Sequence, residues 1–124
     1  MAMPELARLF FRRGLWQLVF CLVLVAVLLL AWLPMSDVVT GSDKMNHVLA
    51  FVVLGLLAQA AWPSRRVLVL VGLLALGGLI ELVQAQVGRD ASGADWLADA
   101  VGLVLALALW FLLPAAWRNR LRQE

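Results

Sequence analysis

The chain is too apolar for a water-soluble domain. Of its 124 residues, 65% are hydrophobic and 15% charged, and its mean hydropathy is +0.96, whereas soluble domains are roughly half apolar and about a quarter charged. The net charge of +2 says little as a total, because the positions of Lys and Arg carry the information in a membrane protein. The single cysteine, Cys21, excludes an intrachain disulfide and a cysteine metal site. We therefore expect one membrane domain over residues 1–124.

Apolar segments of sufficient length recur along the chain. A transmembrane helix needs about 20 residues at about 1.5 Å each. The four segments that approach this length are 15–33, 45–62, 67–84 and 96–113. The first is longer than the apolar part of an export signal, so we expect it to be a retained span. The prediction is an all-α polytopic membrane protein, an antiparallel bundle of four transmembrane helices joined by short connections.

The distribution of basic residues predicts the orientation of this bundle. Cytoplasmic flanks of membrane spans are enriched in Lys and Arg. Basic residues precede the first span, separate the second from the third, and follow the fourth; they are Arg8, Arg12, Arg13, Arg65, Arg66, Arg118, Arg120 and Arg122. The other two connections carry more acidic than basic residues. Both termini are therefore expected to be cytoplasmic.

Polar residues interrupt the spans close to their predicted outer ends. They form the pairs Asp43 and His47, Glu81 and Gln84, and Asp95 and Asp99. Each pair is spaced to share one face of a helix. Ionisable groups inside a membrane are costly, so they should face one another or a water-filled pocket. We predict an outward-facing polar pocket with Lys44 and Arg89 at its rim, where they could neutralise the acids or bind an anionic group such as phosphate.

Structural roles compete with this interpretation for several of the same residues. Asp43 is suited to cap the second helix, and Ser92 with Asp95 has the spacing of a capping box. Glu81 could form a structural salt bridge with a nearby basic residue. A histidine such as His47 on an apolar helix often only hydrogen-bonds a neighbour.

Other residues point to helix packing rather than to a site. Gln17 and Gln59 lie nearer the predicted inner side and are expected to form hydrogen bonds between helices. Small residues recur every fourth position at Ala94, Ala98, Gly102 and Ala106 in the fourth span. Gly72, Ala75 and Gly78 suggest a similar stripe in the third. Such stripes let helices approach closely.

An ordered set of short polar motifs extends from residue 43 to residue 102. It consists of D-K-x-x-H-x-x-x-F at 43–51, E-x-x-Q at 81–84 and R-x-x-S-x-x-D at 89–95, followed by Gly102. In this order the motifs resemble the VanZ-like family of small bacterial integral membrane proteins. That family commonly has Asn four residues after the last Asp, whereas this chain has Asp99. The substitution adds an acid to the predicted pocket.

The resemblance implies a multi-pass protein of the bacterial cytoplasmic membrane with a role in the cell envelope. It also suggests an effect on glycopeptide susceptibility of the teicoplanin type, that is, on antibiotic resistance. We predict that the pocket recognises or modifies an envelope lipid headgroup or a cell-wall precursor. The expected partners are membrane lipids, a lipid-linked precursor or a glycopeptide, and an oligomeric or membrane-protein partner. Nucleic acid is not expected, because Arg-rich ends of spans serve topology and contact with anionic lipids.

The chemistry expected of the pocket depends on whether it is catalytic. In that case Glu81 or His47 is the candidate general base, and Lys44 or Arg89 would stabilise developing negative charge. The candidate catalytic residues are Glu81, His47 and Asp95, and the candidate ligand-binding residues are Asp43, Lys44, Gln84, Arg89, Ser92 and Asp99. No Ser or Cys lies at a recognisable nucleophile spacing.

No cofactor and no metal are predicted, because the sequence contains no tight ligand motif. A divalent ion held by Glu81, Asp95, Asp99 and His47 is nevertheless compatible with their predicted positions. Two other functions stay open. One is a proton-coupled small transporter, since buried carboxylates and a histidine can relay protons. The other is a structural subunit of a membrane complex.

Overall fold

The computed structural model describes residues 4–32, 43–86 and 93–123. Across these ranges the chain is helical and contains no strand, which confirms the predicted all-α class. The helices, in chain order, are α1 (Glu5–Phe10), α2 (Arg13–Trp32), α3 (Asp43–Ala61), α4 (Arg66–Gln86), α5 (Gly93–Leu112) and α6 (Ala115–Gln123). A short 3-10 helix, Pro63–Arg65, joins α3 to α4. The short helices α1 and α6 were not predicted.

Four of these helices, α2 to α5, are long and apolar enough to cross a membrane. Their bounds differ from the predicted spans by at most three residues in the described parts of the chain. Many large apolar side chains on them are exposed, among them Leu22, Val67, Leu82 and Val104. An exposed apolar surface of this kind is what a lipid-facing helix requires, so the fold is consistent with a multi-pass membrane protein.

Prolines mark two of the described helix junctions, the one between α3 and α4 and the one between α5 and α6. Trp62 has φ −135° and ψ 65°, because the ring of the following Pro63 disfavours helical backbone in the residue before it. Pro114 separates α5 from α6, and its carbonyl oxygen accepts hydrogen bonds from the backbone N–H groups of Trp117 and Arg118. Pro114 therefore ends one helix and begins the next.

The tightest packing is between α3 and α5. A Cβ added at Gly102 would lie 2.6 Å from the carbonyl oxygen of Val48, and one added at Gly55 would lie 2.6 Å from the Cβ of Ala106. Ala98, Gly102 and Ala106 are buried, whereas Ala94 is exposed. The small-residue stripe of the fourth span is thus confirmed for three of its four members, which allow α5 to lie directly against α3.

The predicted stripe in the third span was wrong. Gly72 and Ala75 are exposed, and a Cβ added at Gly72 would meet nothing within 4 Å. The buried face of α4 instead carries Leu73, Gly77, Ile80, Glu81 and Gln84. The spacing of small residues indicated that one face was smooth, but it could not indicate which face of the helix meets its neighbours.

Contacts between helix ends position the polar residues. The side-chain amide of Gln17 in α2 donates to the carbonyl oxygen of Ala61, the last residue of α3, over 3.3 Å. The corresponding amide of Gln84, near the end of α4, donates to Ala31, near the end of α2, over 2.9 Å. Between the ends, Phe51, Leu54, Ala58, Leu73, Ile80 and Leu103 form an apolar core. The last turns of α4 are thereby placed beside the first turns of α3 and α5.

Candidate functional site

Three helices each contribute one ionisable side chain to a buried cluster, which we call the polar cluster: His47 of α3, Glu81 of α4 and Asp99 of α5. Nδ1 of His47 lies 2.7 Å from Oδ1 of Asp99. Nε2 of the same ring lies 3.9 Å from Oε1 of Glu81. His47 and Glu81 are each 9% exposed, and Asp99 is 0% exposed. The imidazole therefore lies between two carboxylates and is largely shielded from solvent.

Glycine allows Asp99 to reach this position. A Cβ added at Gly77 would lie 2.6 Å from Oδ2 of Asp99 and 3.3 Å from Cζ of Phe51. The carboxylate thus rests directly on the backbone of α4, with the Phe51 ring beside it. Gly77 was not among the predicted site residues, and Phe51 entered only as the last position of the D-K-x-x-H-x-x-x-F motif. For Gly77 the available signal was a glycine within an apolar helix, which often marks a close approach.

The short contact between His47 and Asp99 determines which nitrogen of the His47 ring carries the proton. A carboxylate accepts hydrogen bonds, so Nδ1 of the imidazole carries the proton that it donates to Asp99. In the neutral ring, the lone pair then belongs to Nε2, on the side of Glu81. A histidine oriented in this way by a carboxylate can accept a proton or bind a cation at Nε2.

Lys44 and Asp95 form a second polar pair, one helical turn before His47 and Asp99 respectively. The Lys44 Nζ lies 3.5 Å from Oδ1 of Asp95. The Lys44 side chain is 63% exposed and that of Asp95 is 4% exposed. An ion pair with one exposed partner contributes at most about 1 kcal/mol of stability. Because Lys44 is paired with Asp95 and its side chain is largely exposed, the ammonium lies beside α5 and is accessible to an anionic ligand.

The remaining predicted site residues have different outcomes. Gln84 is buried, but its amide nitrogen is directed to the carbonyl oxygen of Ala31 in α2. Arg89, Ser92 and the side chain of Asp43 lie outside the described residues. The predicted residues that the structure brings together are His47, Glu81 and Asp99, with the pair of Lys44 and Asp95 adjoining them along the helices.

The two glutamines assigned to helix packing have that role. Gln59 is 0% exposed, and its amide nitrogen donates to the carbonyl oxygens of Gly55, over 3.1 Å, and Ala106, over 3.2 Å. Gln17 links α2 to α3 through Ala61. The prediction of hydrogen bonds between helices is confirmed for both.

Basic residues gather at the opposite end of α4, at a site that we call the basic end. An open groove of about 670 Å³ is lined there by Pro63, Ser64, Arg65, Arg66, Val67, Leu68 and Arg122. The Arg13 guanidinium donates to the backbone oxygen of Arg122 over 2.9 Å, so α2 and α6 also meet at this end. The groove is separated from the polar cluster by most of the length of α4.

Comparison with protein-family models, with curated proteins and with solved structures finds no match to the chain. Resemblance to the VanZ-like family stays a prediction based on the motifs at residues 43–102.

Proposed function

We propose that the chain is a VanZ-like, multi-pass membrane protein whose polar cluster recognises or modifies the headgroup of an envelope lipid or a cell-wall precursor. The observation that carries this proposal is the convergence of His47, Glu81 and Asp99 from three helices, each at most 9% exposed. Ionisable groups inside a bilayer cost a few kcal/mol each on insertion scales. Groups placed there at such a cost are most often part of an ion, proton or ligand site.

The proposal includes an orientation for the bundle. The helices alternate in direction, both termini are cytoplasmic, and the polar cluster lies toward the outer surface of a bacterial cytoplasmic membrane. The basic end supports this assignment, because it contains Arg13, Arg65, Arg66 and Arg122, and such residues favour the cytoplasmic side of a membrane. In this orientation the cluster lies toward the side of the membrane on which lipid-linked envelope precursors and glycopeptides are found.

Two kinds of chemistry fit the polar cluster. In recognition, the carboxylates accept hydrogen bonds from hydroxyl or amide groups of a headgroup, and Lys44 binds a phosphate oxygen. In modification, Nε2 of His47 is the general base that accepts the proton of a headgroup hydroxyl, and Asp99 stabilises the resulting imidazolium. Arg89, which is predicted to lie at the rim of the pocket, would assist in binding a negatively charged headgroup.

The proposal can be tested in a bacterial strain whose glycopeptide susceptibility depends on the protein. Glu81→Gln and Asp95→Asn should abolish the effect on susceptibility without lowering the amount of protein in the membrane. Glu5→Gln is a matched control, because Glu5 is an exposed acid in α1. If the Glu81 and Asp95 variants keep the full effect, a structural subunit becomes the better account.

Orientation requires a separate test. The native thiol Cys21 is first removed as Cys21→Ser, so that each variant carries a single thiol. Single cysteines are then introduced as Thr40→Cys, Ala91→Cys and Ser64→Cys. A membrane-impermeant thiol reagent added outside should label the first two and spare the third. Labelling of the first two from opposite sides of the membrane would contradict the proposed orientation.

Proton-coupled transport is the second candidate. The array of Asp99, His47 and Glu81 favours it, because buried carboxylates and a histidine can pass protons. The packing beyond the cluster opposes it, since Phe51, Leu54 and Ala58 are at most 1% exposed and no water chain is expected among apolar side chains. Transport predicts pH-dependent flux in proteoliposomes that Glu81→Gln removes, whereas a recognition site predicts no flux in either protein.

A further inference from the structure

The polar cluster combines groups that commonly bind metal ions. His47, Glu81 and Asp99 each offer a donor atom, and these atoms all lie within 4.8 Å of one another. An imidazole with carboxylates is a donor set shared by Zn²⁺, Mn²⁺ and Fe²⁺ sites. No metal was predicted from the sequence, because the three residues lie on different helices and form no local ligand motif. The fold supplies the proximity that the sequence spacing does not.

The arrangement of the imidazole is the one that metal-binding histidines usually have. Such a histidine almost always donates its second ring N–H to a carboxylate, a carbonyl or water, which fixes the ring and makes the metal-binding nitrogen more basic. Asp99 provides this contact at Nδ1 over 2.7 Å. The other ring nitrogen, Nε2, is thereby directed toward Glu81.

The distance between Nε2 of His47 and Oε1 of Glu81 is close to what a shared ion requires. These atoms are 3.9 Å apart. Two ligands of a tetrahedral zinc ion, at about 2.0–2.1 Å from the metal, lie roughly 3.3–3.4 Å from each other. A side-chain adjustment of about half an ångström would therefore bring both atoms to coordination distance.

A buried amide one helical turn from Glu81 also has a side-chain oxygen that is unsatisfied in the described part of the chain. Gln84 follows Glu81 by one helical turn and is 1% exposed. Its amide nitrogen donates to Ala31, but its side-chain oxygen has no hydrogen-bond partner in the described part of the chain. Buried polar atoms are normally satisfied, so such an oxygen indicates a missing water or ligand.

We infer that the polar cluster binds a single divalent transition ion, of the Zn²⁺ or Mn²⁺ type, through His47 and Glu81, with Asp99 positioning the imidazole. The ion keeps coordination positions open for water and for oxygens of a phosphate-bearing headgroup. Two carboxylates alone would repel a phosphate, whereas a divalent ion held by His47 and Glu81 attracts it. Only the contact with phosphate rests on the proposed function, and it rests on the recognition form, because an ion on Nε2 leaves His47 unable to accept a proton there.

The ion is tested on the purified, detergent-solubilised chain after treatment with a chelator. Zn²⁺ and Mn²⁺ are each added by equilibrium dialysis, and bound metal is measured by mass spectrometry. The wild type should bind one ion per chain. Glu81→Gln and His47→Gln should lower the affinity by more than about 100-fold, and Asp99→Asn by about 10- to 100-fold, as expected for a positioning residue. Glu5→Gln should leave it unchanged.

The controls make the result decisive. Circular dichroism and gel filtration show whether each variant keeps the helical fold, and the wild-type stoichiometry does not depend on any variant. Absence of bound ion in the wild type would overturn the inference. Equal affinity in the wild type, Glu81→Gln and His47→Gln would also overturn it, because the ion would then lie elsewhere.

The contact with phosphate is tested with a short-chain phosphatidic acid and with inorganic phosphate, each added to the Zn²⁺-loaded and the chelated protein. If only the lipid binds the loaded protein more tightly than the chelated protein, the inference is supported and the ligand is a lipid. If Zn²⁺ raises the affinity for the lipid and for inorganic phosphate equally, the cluster is a general phosphate site. Lipid binding that is independent of the ion overturns the phosphate contact and leaves the proposed function standing. Ion binding without affinity for either probe overturns the phosphate contact and counts against the proposed function, but leaves the ion site.

Discussion

At the start of α4, the guanidinium carbon of Arg66 lies 4.8 Å from the centre of the Phe111 ring; toward the end of the same helix, Glu81 is 9% exposed and faces His47. Both ends of the bundle hold several charged residues, but in different surroundings. At the basic end, Arg118 also lies over Phe111, at 5.3 Å, and the groove is open to solvent. In the polar cluster, charged groups are surrounded by protein.

This difference determines what each end can do. Arginines at a membrane surface extend along apolar groups while their charged heads reach water and anionic lipids. A stacked arginine of this kind contributes about 0.5–1 kcal/mol at an exposed site. Groups in the polar cluster depend on one another for hydrogen bonds, so removal of one leaves a buried partner unsatisfied. Substitutions should therefore be tolerated at the basic end and costly in the cluster.

The largest effect is expected where α5 meets α3 below the cluster. Gly102→Val should lower the free energy of unfolding by about 3 kcal/mol, the upper end of the usual cost of overpacking, because even a Cβ would lie 2.6 Å from the Val48 carbonyl oxygen. Gly72→Ala is the control and should change stability by less than about 1 kcal/mol. Thermal unfolding in detergent measures both. Similar midpoints for the two variants would contradict the described packing of α3 on α5.

The next effect concerns the hydrogen bond inside the cluster. Asp99→Ala should cost about 1–3 kcal/mol, because it leaves the buried His47 ring without its carboxylate acceptor. Asp99→Asn keeps an acceptor oxygen and should cost less. Equilibrium unfolding in detergent compares the two. A stability loss that is equal for Ala and Asn would show that packing, rather than the hydrogen bond, determines the role of Asp99.

A smaller stability effect, but a clear loss of ligand, is expected at Gly77. In Gly77→Ala the added methyl would lie 2.6 Å from Oδ2 of Asp99 and should displace that carboxylate, at a cost of about 1 kcal/mol. Lipid or ion affinity should fall by about tenfold, the lower end of the effect of disturbing a positioning group. Gly78→Ala is the adjacent control, because its Cβ would lie 3.5 Å from Trp96. Equal affinities for the two variants would contradict the positioning role.

The smallest effect is expected at the basic end. Arg66→Gln removes the contact with Phe111 and should lower stability by about 0.5–1 kcal/mol. Arg65→Gln, at a neighbouring exposed position, should change it less. Unfolding in detergent measures the stability of both variants. Lipid binding at the polar cluster is measured separately and should be unchanged in both. A loss of more than about 2 kcal/mol, or a loss of that lipid, would show that the two ends are not independent.

The sequence predicted the spans well because length and hydropathy alone determine whether a helix can cross a bilayer. It also placed His47, Glu81 and Asp99 at similar depths, since depth follows from position along a helix. The sequence did not predict how each helix is rotated about its own axis, that is, which of its faces meets a neighbouring helix. Gln84 shares a face with Glu81 but contacts α2, and the close approach in α4 occurs at Gly77 rather than at Gly72. Both depend on how neighbouring helices pack.

The contacts inside the cluster could not be obtained from spacing for a related reason. A hydrogen bond between His47 and Asp99 requires α3 and α5 to be neighbours, and that adjacency results from the small residues Gly55, Gly102 and Ala106 meeting across the interface. Sequence periodicity identified the stripe on α5 but did not name its partner helix. A divalent ion held by His47, Glu81, Asp95 and Asp99 was compatible with the sequence, but spacing alone did not show which of these donors meet, because they are distant in the chain.

The most direct test of the central claim is mass spectrometry of the protein extracted with its native lipids. If the polar cluster is a headgroup site, the wild type and Glu5→Gln should carry the same phosphate-bearing lipid or lipid-linked precursor, and Glu81→Gln should carry none while remaining folded. Equal lipid content in all three proteins would contradict the account, because the buried cluster of His47, Glu81 and Asp99 would then have no part in binding.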